Sequence, residues 1–463
     1  MKIHNDGATP LRVAIVGSGP AGFYVAEQLL KHDALTVEID LFDRLPTPFG
    51  LVRTGVAPDH PKIKSVTRIY ERIAADPCVR FYGNVKYGRD VSLEELEDHY
   101  HQIVFATGAE TDRGLDIPGI GLAGSHTATE FVGWYNGHPD YRDRVFDLSR
   151  ERVAVIGVGN VAIDVARILC RTEEELRGTD IAPYALKQLA ESRIEEVVVL
   201  GRRGPVQAAF TNPELKELRS LADAEVRTLP EDLRQPHGTL YEAGDRSSTL
   251  KVKILQELTI RGPVRKARRI TLRFLVSPVE LLPDEDGHVR SLRLVRNVLR
   301  RTEAGTMSPH ATDRYEDLPV GLVFRSIGYG GVALPDIPFN HDWGVIHNQN
   351  GRVIDPDSRE RVIGLYAVGW IKRGPTGVIG TNKPDAVETV DCMVEDLRKG
   401  AILHPRHPEV ADVEQLIRLR QPDLFTYEDW QRLDAIEVAR GRVQGCPRIK
   451  FTSVDEMLAA LER

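Results

Sequence analysis

Apolar positions along this chain fall into two alternating kinds of run. Short unbroken stretches of Val, Ile and Leu lead, across a glycine turn, into segments whose apolar residues recur at helical spacing. Arg12–Gly17 (RVAIVG) runs in this way into a helical pattern over Pro20–Lys31, and Arg152–Gly157 (RVAVIG) runs into Asn160–Cys170. Val and Ile without polar alternation are what parallel strands buried on both faces require. The pattern therefore begins a doubly wound α/β unit twice, with two Rossmann-like dinucleotide-binding folds as the expected class.

Two further apolar segments, Ile103–Gly108 (IVFATG) and Leu322–Gly328 (LVFRSIG), each end at a glycine and give way to loop-rich sequence. They are expected to be the crossings between the units, so that the second unit, 109–326, is inserted into a first unit formed by 1–108 and 327–400. A closing helix is predicted with Asn382 as its cap and Pro384 in its first turn, and with Ala386, Val390, Met393, Val394 and Leu397 on one face. The polar stretch Arg227–Thr249 predicts a surface excursion. Residues 401–463 read as a charged C-terminal extension with amphipathic helical patches, a packing or oligomerisation element without assigned chemistry.

Composition narrows the field. The 463 residues carry 61 Lys+Arg against 68 Asp+Glu, a net charge of −7, with 41% hydrophobic and 28% charged residues. That is an ordinary globular balance, and it excludes disorder and whole-surface nucleic-acid binding. Cys78, Cys170, Cys392 and Cys446 are scattered singly, which excludes a CxxC redox pair and a clustered metal site and fits a reducing compartment. No apolar run approaches the roughly 18 residues of a membrane span, and the polar N-terminal residues offer no export signal. The expected location is cytoplasmic.

The chemistry lies in the two glycine turns. Gly17-Ser18-Gly19-Pro20-Ala21-Gly22 is a dinucleotide fingerprint between a strand and a helix, and Asp43 follows the second strand, Val37–Phe42. An acid there accepts hydrogen bonds from both hydroxyls of an unphosphorylated adenosine ribose, so this turn is expected to bind FAD or NAD. Gly157-Val158-Gly159-Asn160-Val161-Ala162 is the second fingerprint, and its partner strand, Glu196–Gly201, ends in Arg202 and Arg203. Two guanidiniums in place of the acid would grip a 2′-phosphate, so NADPH is expected there rather than NADH.

Three longer segments carry a resemblance. Phe49–Ser65 (FGLVRTGVAPDHPKIKS), Val199–Thr211 (VLGRRGPVQAAFT) and Gly369–Lys383 (GWIKRGPTGVIGTNK) resemble the corresponding stretches of adrenodoxin reductase and its bacterial ferredoxin–NADP reductase relatives. With both fingerprints, the likeness runs from about residue 11 to about residue 398. The resemblance implies FAD at the first fingerprint, with contacts at Gly17, Gly19, Ala21, Gly22, Asp43, Leu51, Val85, Trp370, Gly377, Val378 and Ile379. It implies NADPH at Gly157, Gly159, Asn160, Val161, Arg202, Arg203 and Glu214, with Gly377 beside the flavin. His60, in a loop stiffened by Pro58 and Pro61, and Glu214 are the polar residues put forward for work near the nicotinamide. No metal site is expected.

The implied activity is that of an FAD-dependent NADPH:ferredoxin reductase, passing a hydride from NADPH to FAD and then single electrons to an iron–sulfur protein. A flavin-dependent NAD(P)H reductase of a small molecule and a non-catalytic nicotinamide-sensing flavoprotein remain as alternatives. Because ferredoxins are generally acidic, a local basic face is needed for docking. The densest basic run, Arg261, Arg265, Lys266, Arg268, Arg269 and Arg273, is the candidate; as a strand it would point Arg269 and Arg273 the same way.

Overall fold

The computed structural model describes residues 10–33, 35–233, 245–259 and 266–463. Leu11–Val16 is an interior strand of a seven-stranded sheet, flanked by Val37–Phe42 and Val79–Tyr82 on one side. On the other side come Gln102–Phe105, Arg361–Ala367, and the short antiparallel strands Arg352–Ile354 and Asn348–Gln349. Its run Val13–Val16 has no polar break because both faces are covered. Val13 and Ile15 face a core containing the helices Pro20–Leu30 and Asn382–Arg398, whereas Ala14 and Val16 face a second core.

Arg152–Ile156 lies in a six-stranded parallel sheet with Glu196–Gly201, Arg268–Phe274, Ala224–Thr228, Leu322–Arg325 and Ser125–Thr127. Helices cover one face. The other packs on a three-stranded antiparallel sheet, Val276–Pro283, Val289–Arg301 and Met307–Pro319. Every strand of this sheet falls between residues 125 and 325, inside the sequence that builds the seven-stranded one. The two connections pass side by side, as Thr111–Asp112 pairs antiparallel with Tyr329–Gly330.

Three local expectations need correction. The closing helix is capped at Thr381, not Asn382. Asn382 is its first residue, and its amide donates back to the Ile379 carbonyl at 3.1 Å. The stretch Arg227–Thr249 is a surface excursion only in part: Thr228, Asp232 and Leu233 are buried, whereas Asp245–Ser247 and Thr249 are exposed where a helix begins at Arg246. Residues 234–244 lie outside the described residues. Finally, the basic strand Arg268–Phe274 is no open edge, because it pairs on both sides, with Glu196–Gly201 and Ala224–Thr228.

That strand's charges are already satisfied. Arg269 donates to Glu196 at 2.9 Å, Arg273 pairs with Asp232 at 3.3 Å and Glu316 at 2.8 Å, and Arg268 donates to two main-chain carbonyls. Lys266 is spent on the Leu221 carbonyl at 2.5 Å, while Arg261 and Arg265 lie outside the described residues. The described part of the run is therefore structural rather than a free docking face.

The C-terminal extension packs on the first unit. Leu424, Phe425, Trp430, Leu433, Phe451 and Met457 complete its two cores. Glu437, fully buried, accepts from Arg53 at 2.9 and 2.5 Å, from Arg448 at 3.1 Å and from the Phe451 amide at 2.9 Å. Burial pushes this carboxyl up, but the guanidiniums of Arg53 and Arg448 hold it below its usual range. Lys450 reaches the carbonyls of Arg53 and Asn136 at 3.2 and 3.1 Å and Asp180 at 3.0 Å. Burial presses its ammonium down to about 7, against the attraction of Asp180. One buried clamp thus joins the extension, the short helix Leu51–Thr54 and the second unit.

Candidate active site

Each fingerprint is built by close approach of backbone. Gly17 has φ +112°, and a Cβ there would sit 2.5 Å from the Ala106 carbonyl oxygen. A Cβ on Gly22 would lie 2.2 Å from the Gly17 oxygen, so the third glycine lets helix and strand touch. Gly157 repeats the arrangement, at φ +131° and 2.0 Å from the Ser326 oxygen. The middle glycines differ. Beside Gly19 and Gly159 a Cβ would meet nothing within 4 Å, and both cap their helices without any side-chain hydrogen bond. Two helix N-termini therefore open onto free space with their N–H groups uncapped, which is what a pyrophosphate needs.

Around the first cradle, Asp43 ties the turn to its strand. One carboxylate oxygen accepts from the Ser18 amide and hydroxyl at 3.0 and 2.6 Å, and the other accepts from the Leu45 amide at 2.9 Å. Gly50 comes so close that its Cβ would lie 3.0 Å from the Gly19 Cα. Leu51 and Val378 are exposed apolar side chains, 44% and 56%, on the two segments that flank this cleft. Gly369, at φ +76°, packs on Ala21, where a Cβ would stand 2.6 Å from the Ala21 Cβ. Half-buried Trp370 stacks on Tyr329 at 5.8 Å and donates to the Thr376 carbonyl at 3.2 Å. Gly377 is exposed and Ile379 half-buried at the turn before the closing helix. Val85 is different: its side chain is 1% exposed in the core, and its amide donates to the Asp43 carbonyl at 2.9 Å.

At the second cradle, Asn160 accepts from the Thr211 amide at 2.9 Å, and Val161 is half-buried beside it. Arg202 and Arg203 are exposed. Their carbonyls are held by Asn297 at 2.9 Å and by the Leu275 amide at 3.1 Å. Neither guanidinium has a hydrogen-bond or ion-pair partner among the described residues. Two anchored, unpaired cations beside an uncapped helix end form a site for a phosphate dianion.

Between the cradles lies a buried charge cluster. His60 Nε2 stands 2.8 Å from Glu217 and 3.9 Å from Glu214. Fully buried Arg167 donates to Asp59 at 2.6 and 3.0 Å, to Asp164 at 2.7 Å and to Glu214 at 3.3 Å. Burial pushes the Asp59 carboxyl up, but Arg167 and Arg171 hold it down to about 2. Asp164, enclosed with Glu214 nearby, is pushed up to about 6 by burial, against the pull of Arg167. His60, Glu214 and Glu217 bring ligand atoms within 4.8 Å of one another. Arg167 Nη1, at 3.3 and 3.7 Å from the two glutamates, already supplies positive charge there, so a metal cation would have to displace it.

The two residues put forward for work near a nicotinamide, His60 and Glu214, thus come together, but the closer partner of His60 is Glu217. Its spacing of three from Glu214 on the helix Asn212–Glu217 puts both on one face and was the available signal. Arg167 left a signal too, as a charge inside the otherwise apolar stretch Val165–Cys170. Asp59 left none.

A family model described as pyridine nucleotide-disulphide oxidoreductase matches residues 11–217. The chain is 44% identical over 451 residues to the NADPH-ferredoxin reductase FprA of Mycobacterium leprae, covering 96% of this chain and 97% of that protein. It is 41% identical over 460 residues to the mitochondrial NADPH:adrenodoxin oxidoreductase of Bos taurus, covering 97% and 92%. The structure of Mycobacterium tuberculosis FprA in complex with NADPH superposes with a TM-score of 0.92 at 43% identity, over 98% of this chain and all of that one.

Proposed function

The chain belongs to the adrenodoxin reductase-like ferredoxin–NADP reductases, and from that premise we propose how its two cradles divide the work. It is an FAD-dependent NADPH:ferredoxin reductase, an oxidoreductase whose partner is an iron–sulfur protein. FAD, when bound, supplies the conversion between the two-electron chemistry of a nicotinamide and the one-electron chemistry of an iron–sulfur centre.

The first cradle takes FAD. Gly17, Gly19 and Gly22 admit its pyrophosphate to the helix end, Asp43 faces its adenosine ribose, and Leu51, Trp370 and the turn Gly377-Val378-Ile379 line the space beyond. The second cradle takes NADPH, with Gly157, Gly159, Asn160 and Val161 at the pyrophosphate and Arg202 and Arg203 on the 2′-phosphate. His60 and Glu214, with Glu217, orient the nicotinamide end and exclude water. The residues 109–326 form the NADP-binding domain, inserted into an FAD-binding domain of 1–108 and 327–400, with 401–463 as its extension. No described helix is long and apolar enough to cross a membrane. Four free cysteines fit a reducing, cytoplasmic setting.

The observation that carries this reading is the pair of uncapped helix ends beside Gly19 and Gly159, one next to an acid and the other next to two unpaired arginines. NADPH-dependent reduction of cytochrome c, measured with and without added ferredoxin, tests it. The purified protein should be yellow, should release FAD rather than FMN, and should depend on ferredoxin for fast turnover. Ferredoxin-independent turnover of a small acceptor alone would favour the small-molecule reductase.

The nucleotide assignment has its own test. Each charge-assisted hydrogen bond from Arg202 or Arg203 is worth roughly 1.5–3 kcal/mol. Arg202→Ala with Arg203→Ala should weaken NADPH by at least about tenfold, or roughly 1.4 kcal/mol, and leave NADH nearly unchanged. Equal losses for both nucleotides in equilibrium titrations would show that the pair does not read the 2′-phosphate.

A further inference from the structure

The two cradles stand on separate sheets, yet hydride transfer requires their contents to meet at a fixed separation. Among the described residues, Arg167 spans the gap at the level of the charge cluster. It sits on the helix Asn160–Cys170, which opens at the second cradle, and its side chain is 0% exposed. Its Nε and Nη2 grip both carboxylate oxygens of Asp59, on the first unit's loop, at 2.6 and 3.0 Å. Nη2 also donates to Asp164 at 2.7 Å, and Nη1 to Glu214 at 3.3 Å. Arg171, one turn further on, holds the same Asp59 at 2.7 Å.

We propose that Arg167 is the positioning residue of the hydride-transfer cleft, its fork fixing the loop Pro58–Pro61, and with it His60, against the helix of the NADPH cradle. This rests on the assignment of the cradles to FAD and NADPH. Three observations converge on it. Asp59 is the immediate neighbour of His60 between two prolines, so anchoring one residue sets the other. The helix is continuous from Gly159 to Arg167, so the pin and the cradle move as one body. A guanidinium buried among carboxylates gains little net stability over apolar packing, whereas its planar, bidentate geometry imposes one orientation that a lysine cannot.

The test uses Arg167→Lys, which keeps the charge and loses the fork, and Asp59→Asn, which keeps the shape and loses the charge. The FAD-loaded proteins are compared by stopped-flow reduction with NADPH, by the flavin difference spectrum on adding NADP+, by 2′,5′-ADP affinity and by flavin content. In both variants the reduction rate constant should fall at least about tenfold and the difference spectrum should weaken, since ångström-scale misplacement costs up to about a hundredfold. Affinity for 2′,5′-ADP, which reads only the phosphate end, and flavin content should stay within about twofold.

Reduction at the parent's rate with an unchanged spectrum overturns the proposal. So does a parallel loss of 2′,5′-ADP affinity, which would make Arg167 a support of the cradle itself. If the lysine variant does not fold, Asp59→Asn decides by the same readouts. A parent protein that NADPH fails to reduce would overturn the functional assignment itself, whereas a normal parent beside an unaffected variant overturns only the pin.

Discussion

A Gly157→Val protein is expected to keep its FAD and lose NADPH binding by at least about a hundredfold, roughly 2.7 kcal/mol. Gly157 has φ +131°, and its Cβ would stand 2.0 Å from the Ser326 carbonyl oxygen, well inside contact distance. A β-branched residue meets both the backbone strain, about 1–3 kcal/mol, and a rigid main-chain atom that cannot swing aside. The turn must open, and the helix end at Gly159 moves with it. The first cradle has its own contact, Gly17 on Ala106 in a different sheet, and is not touched. Titration with NADP+ alongside the visible flavin absorbance separates the two sites. Loss of flavin in proportion to nucleotide would contradict their independence.

The second large effect is one of stability. Glu437→Ala should cost about 3–5 kcal/mol, because it leaves Arg53 buried without its carboxylate. Arg53 is only 7% exposed in its side chain and lies over the Trp430 ring at 4.9 Å. Its neighbours Gly50 and Leu51 flank the first cradle, so a lower thermal midpoint should come with faster flavin release. Glu437→Gln keeps the shape and some of the hydrogen bonds and should lose less. An alanine variant that melts with the parent and retains its flavin would show that the clamp is solvated in solution.

What could be read from the sequence is what short-range geometry dictates. Gly17, Gly22 and Gly157 touch main-chain atoms at 2.0–2.5 Å from a hypothetical Cβ, so any chain making these turns must spell glycine there. Arg202 and Arg203 follow a strand end, and a strand end places the next side chains without help from elsewhere. The charge cluster is different. Arg167 meets Asp59 across 108 residues and His60 meets Glu217 across 157, and no local pattern announces such pairs. The basic run misleads for the same reason. Arg269 and Arg273 look like a free positive face until the fold brings Glu196 and Asp232 to them. The closing helix's cap falls at Thr381 rather than Asn382, since Thr, Asn and the nearby Pro384 give overlapping signals.

The clamp also sets the order in which the protein can be born. Arg53 waits for Glu437, 384 residues later, and its carbonyl waits for Lys450, 397 residues later. The first sheet waits as well, for the strand Arg361–Ala367 that pairs with Gln102–Phe105. The inserted sheet needs nothing beyond Arg325. During synthesis, where domains generally mature from the amino terminus onward, this chain must therefore complete its middle before its beginning. The segment around Arg53 leaves the ribosome early and is sealed only after Glu437 and Lys450 have emerged.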